Sequence, residues 1–154
     1  MGTVPPNPPP GALFGTSYSP NESKTKRGQS PSGGTATTEV ATMEIFRPED
    51  VPAEQPANMP GVKIRWVIDK KRGAENFAMR VFEVDPGAAT PLHDHWYEQE
   101  MYILEGRGVM VGDKGDNPVE PGNVLWVAPH ERHQMKNTGK TTLRFICCVP
   151  QKKP

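Results

Sequence analysis

The sequence predicts an all-β protein, an antiparallel sandwich or barrel of the jelly-roll kind, and three observations carry that expectation. Short runs of strand-forming residues recur from residue 60 onward, turn residues separate them, and apolar residues never repeat at helical spacing through a full-length window. With 18 prolines and 15 glycines in 154 residues, the chain is also too rich in breakers for a uniformly helical fold.

The elements follow in order. "VKIRWVI" (62–68) places Val62, Ile64, Trp66 and Ile68 on one strand face, "KKRGAEN" turns the chain, and "FAMRVFEV" (77–84) returns it. "DPGAATP" breaks the pattern before "LHDHW", "QEMYILE" and "GVMVGD", and "KGDNP" reads as a polar turn. "NVLWVA", "HQMKN" and "TTLRFICCV" (141–149) complete the series. Trp66, Trp126, Met79, Met101, Met135 and Phe145 are expected to line the core or a pocket. Arg80 and Tyr97 are expected mainly at the solvent, with a place in the pocket as the alternative.

Residues 1–42 differ in kind. "PPNPPPG" favours polyproline-like extension, and "TSYSPNESKTKRGQSPSGGTATTE" is polar and aperiodic. Such a segment buries too little apolar surface to offset its ordering entropy, so a disordered tail is expected there. "MEIFRPEDVP", from Met43, looks like a domain start, with 43–60 as an arm and 61–150 as the barrel. The sequon Asn21-Glu22-Ser23 lacks a secretory context and is taken as chance.

Composition excludes several classes. The formal net charge is zero and Lys and Arg form no long block, so no nucleic-acid footprint is present. No apolar run approaches the roughly 18 residues of a membrane span. The N-terminus lacks a basic start and an apolar core, which points to the cytoplasm. The two cysteines, Cys147 and Cys148, are adjacent; strand neighbours face opposite ways, so they are expected as free thiols. "GRGVMVG" (106–112) has the wrong spacing for a dinucleotide loop, and no helix follows it.

The chemistry-bearing stretch is "PLHDHWYEQEMYILEG" (91–106), which holds two of the four histidines. On a strand, His93 and His95 share a face, and both imidazoles can grip one ion. Continuing that face gives Gln99, Met101 and Ile103, and the opposite face gives Glu98, Glu100 and Tyr102. A slip in the intervening turn exchanges the two sets. In "APHERHQMKNTG" (128–139), His133, Met135 and Asn137 share a strand face, and His130 falls in the preceding turn.

These stretches resemble the two motifs of the cupin superfamily. The first is a glycine, five residues, H-x-H, three or four residues, a glutamate, six residues and a glycine; here it reads Gly87, "AATPL", His93-Asp94-His95, "WYE", Gln99, "EMYILE", Gly106. The second is a glycine, five residues, P-x-G, two residues, a histidine, three residues and an asparagine; here it reads Gly122, "NVLWV", Ala128-Pro129-His130, "ER", His133, "QMK", Asn137. Gln99 stands for the usual glutamate, with Glu100 at the alternative spacing, and Ala128 and His130 stand for proline and glycine.

The resemblance spans about residues 60–149 and implies a double-stranded β-helix of the small single-domain type. It implies His93, His95 and His133 as metal ligands, Gln99 as the fourth and Glu100 as the fallback, with His130 outside the set. The cofactor is then one divalent transition metal, Mn, Fe, Ni, Zn or Cu. The resemblance further implies a small anionic substrate and a homodimer. An enzyme of oxidase or dioxygenase character is favoured. A non-redox lyase or isomerase of sugar acids and a non-catalytic binding module stay open, and no acid, base or nucleophile can be named.

Overall fold

A computed structural model describes residues 43–151. The tail expected over 1–42 and the Asn21 sequon lie outside these residues. The described chain is built from strands and two single-turn 3-10 helices, so the all-β expectation holds.

Eight strands occur: β1 (Val62–Ile68), β2 (Phe77–Val84), β3 (Gln99–Glu105), β4 (Gly108–Gly112), β5 (Gly115–Val119), β6 (Val124–Val127), β7 (His133–Asn137) and β8 (Leu143–Pro150). They form a five-stranded sheet in the order β1-β2-β8-β3-β6 and a three-stranded sheet in the order β5-β4-β7. Every pairing is antiparallel.

The core lies between the sheets and draws on both. Alternation along β8 buries Leu143, Phe145, Cys147 and Val149. Phe145 stacks on Phe82 at 4.9 Å, and Met110 from β4 and Met135 from β7 close the space from the other sheet. Each such apolar side chain stabilises the fold by about 2 kcal/mol relative to solvent exposure.

Four sequence expectations need correction. The β1 alternation breaks at a register shift between Trp66 and Ile68, so Val67 is buried and Ile68 is not. A bulge adds a residue without a partner and flips the faces beyond it. "KGDNP" is not a turn, since only Asp113 and Lys114 connect β4 to β5. Residues 115–119 form an edge strand, where polar side chains stay wet and Pro118 needs no ladder partner on its free side. Trp126 and Met79, expected inside, point outward and are 62% and 37% exposed.

The fourth correction concerns "LHDHW", which is not a regular strand. Residues 87–93 instead run irregularly beside β7, joined by Gly87 N to Asn137 O at 3.1 Å and Thr90 N to Met135 O at 2.9 Å. Pro91 has no amide proton to donate, and beyond His93 the chain loops out until β3. Asn137 ties this region together: its Nδ2 donates to Val84 O (2.7 Å) and Thr141 O (2.9 Å), and its Oδ1 accepts from Gly139 N (2.9 Å). It is 0% exposed, so water cannot replace these bonds.

Three hydrogen bonds from one fully buried side chain, at about 1 kcal/mol each, imply that Asn137→Ala lowers unfolding stability by about 3 kcal/mol. Urea denaturation measures this; a loss below about 1 kcal/mol would show that Asn137 is not the tie.

Candidate metal centre

His133 opens β7 and is held against the 87–93 segment by a reciprocal backbone pair. His93 N donates to His133 O at 3.1 Å, and His133 N donates to His93 O at 2.8 Å. His95 lies two residues into the loop, where its carbonyl accepts from His130 N at 2.7 Å. His130 occupies the position where the motif carries glycine, and its φ of 65° is the one positive value among the described non-glycine residues. Its left-handed backbone aims that amide at His95.

These contacts bring the imidazoles together. Ring centroids are 4.5 Å apart for His93 and His133, 4.9 Å for His95 and His133, and 5.7 Å for His93 and His95. One ring nitrogen from each lies within 4.8 Å of the others, a spacing that could hold a metal ion. Thus the two histidines meet as expected, though from a bridge and a loop instead of one strand.

Each Nδ1 faces a backbone carbonyl: Pro91 O at 2.9 Å for His93, Tyr97 O at 2.6 Å for His95, and Glu131 O at 2.8 Å for His133. A carbonyl only accepts, so Nδ1 donates and the neutral ring keeps its lone pair on Nε2. The Nε2 of His133 is buried and has no partner among the described residues. Burial also holds His133 below the ordinary imidazole range, reinforced by His93 and His95 and opposed by the Glu131 carbonyl.

Gln99 starts β3 on its inward face and is buried, as are Met101 and Ile103, whereas Glu100 and Tyr102 are exposed. Gln99 Nε2 donates to Met101 Sδ at 3.4 Å, which leaves Oε1 3.2 Å from His95 Nε2. Two lone-pair atoms therefore face each other, an arrangement that a shared cation relieves. The donor set fits a transition metal on this ground.

The site adjoins a cavity of about 70 Å³ between the sheets, lined by His93, His133, Gln99 and four methionines (Met59, Met101, Met110 and Met135). Phe82, Phe145, Ile64 and Pro91 complete its apolar wall, and Arg80 and Thr90 are its other polar groups. Arg80, expected mainly at the solvent, is half-buried and belongs to this wall. Tyr97 is stacked face to face on His95 at 3.9 Å and packs against the core. Sequence reasoning missed Met59 and Thr90; no periodic signal marks an arm residue or a loop threonine as pocket lining.

Fold and site together define a small jelly-roll barrel with a histidine cluster at an internal cavity. A model of the cupin domain matches residues 80–149. The oxalate-binding protein of Thermotoga maritima is 31% identical over 113 residues, covering 68% of this chain and 92% of that protein. An uncharacterized protein of Methanocaldococcus jannaschii is 38% identical over 66 residues, covering 42% of this chain and 53% of its own. The present chain thus spans about half of that relative's length. Among solved structures, the polyketide cyclase RemF from Streptomyces resistomycificus superposes with a TM-score of 0.69 and 32% identity, over 73% of this chain and 82% of RemF. This chain belongs to the cupin family.

Proposed function

We propose that the protein is a metal-dependent enzyme for a small organic anion, with Nε2 of His93, His95 and His133 and Oε1 of Gln99 as the ligands of one divalent transition metal. The observation that carries this reading is the convergence of one ring nitrogen each from His93, His95 and His133 beside the buried Gln99 amide, whose Oε1 lies 3.2 Å from His95 Nε2. Gln99 is preferred to Glu100 because Glu100 lies on the outer face. We take 61–150 as the barrel and 43–60 as its arm.

All four ligands are neutral, so a bound divalent ion keeps its charge and supplies a Lewis acid suited to an anionic oxygen. The chain's own part is to hold and to exclude. The carbonyls on each Nδ1 fix the rings, and the methionine and phenylalanine wall keeps bulk water out. No acidic side chain lines the cavity among the described residues. An anionic ligand is supported by the likeness to the oxalate-binding protein.

We favour oxidase or dioxygenase character. The second reading, a non-redox lyase or isomerase, draws on the uncharged ligand set and on the 32% identity to a polyketide cyclase. Free thiols at Cys147 and Cys148 suit the cytoplasm expected for the chain. Its homodimer would form through the outer face of the five-stranded sheet, where Tyr102 pairs with Val124 and Trp126 stands on the neighbouring pair, all three exposed.

Four outcomes follow. Protein purified without chelator carries about one transition metal per chain, and His133→Ala lowers metal affinity on the order of a hundredfold. Protons compete for the lone pairs, so occupancy falls below about pH 6, whereas burial keeps His133 neutral further into acid. Elemental analysis and chelator competition test both statements, and full occupancy at pH 4 would contradict histidine ligation. Oxygen electrode traces separate the two chemistries: uptake with a turned-over acid supports the oxidase, and turnover without uptake supports the lyase. Sedimentation velocity should give a dimer that Trp126→Glu dissociates, and a wild-type monomer would refute the pairing.

A further inference from the structure

Arg80 projects inward from β2, in the series Ala78, Arg80, Phe82, Val84 that faces the core. It lines the same cavity as His93, His133 and Gln99. Its guanidinium carbon lies 5.2 Å and 5.1 Å from the ring centroids of Trp66 and Phe82. Nη2 contacts Cys147 Sγ at 2.8 Å, and Nε is buried without a partner. Burial raises the Cys147 thiol, which therefore stays neutral and offers no counter-charge. By contrast, Arg65, Arg72, Arg107 and Arg144 each pair with a glutamate. Among the described residues, Arg80 has no carboxylate within ion-pair distance.

A half-buried guanidinium with a buried Nε and no anion beside it is poorly compensated, and its planar fork matches a carboxylate through two parallel hydrogen bonds. We propose that Arg80 is the anchor for the substrate's carboxylate, and that the substrate is a short 2-oxo or 2-hydroxy monocarboxylic acid with an apolar tail. The carboxylate meets Arg80, the adjacent oxygen faces the histidine cluster, and the tail packs on the methionines and the Phe82–Phe145 stack. The inference deepens the proposed metal-enzyme reading and rests on it for the second contact only. Arg80 is then a binding and specificity residue whose charge selects acids over neutral compounds of the same shape.

The test is a titration of the full chain with 2-oxobutanoate and its neutral amide, followed by NMR, first metal-free and then with zinc. The metal-free wild type should prefer the acid by on the order of tenfold or more. Arg80→Met should erase that preference, Arg80→Lys should keep part of it, and zinc affinity should not fall in either. Equal affinity of the metal-free wild type for acid and amide overturns the inference without recourse to any variant, as does an Arg80→Met protein that retains the preference. If zinc fails to bind while the acid preference persists, the metal reading falls and the carboxylate anchor stands.

Discussion

The reciprocal hydrogen bonds between the backbones of His93 and His133 are the constraint on which the site depends. They join two segments that are forty positions apart in sequence, and they set the spacing of two imidazoles before any ion is present. Gly87, Thr90 and Asn137 extend the same seam, so the loop carrying His95 leaves it from a fixed point. The side chains add orientation only. Each ring is turned by a carbonyl two residues away, which is local geometry that the sequence spacing itself encodes.

From that seam the chemical character follows. Because the rings donate through Nδ1, the cavity receives lone pairs and no protons. Because Gln99 stands where a glutamate is usual, it receives no negative charge either. What surrounds this electron-rich pocket is apolar and soft, apart from Thr90 and one guanidinium. Its ring nitrogens therefore suit a cation, and Arg80 suits an anion. A metal-bound organic acid would match both, with its carboxylate toward Arg80 and its adjacent oxygen toward the histidines.

Much of this was legible in the sequence, for reasons that are local. Strict alternation shows in β8 and in β3 up to Ile103, and the odd face of β3 places Gln99, Met101 and Ile103 inside as the pattern implies. His133, Met135 and Asn137 are likewise buried together. The failures are equally physical. The bulge in β1 depends on pairing with β2, which no single strand announces. The polar strand β5 is an edge, and edges tolerate turn-like composition. The outward turn of Trp126 follows from its register with Glu100, and the inward turn of Arg80 from its register with Cys147. Positive φ at His130 explains why glycine is usual there, but the side chain gives no warning of it.

The central claim is that three bare Nε2 atoms are prepared for a metal before it arrives. Long-range proton–nitrogen NMR of the metal-free protein reads this directly, since the two imidazole tautomers give distinct nitrogen shifts. At pH 8, His93, His95 and His133 should all show the Nδ1–H form, and added zinc should move all three Nε2 resonances together while His130 stays in place. Nε2–H tautomers at these positions, or Nε2 resonances that ignore the metal, would contradict the account.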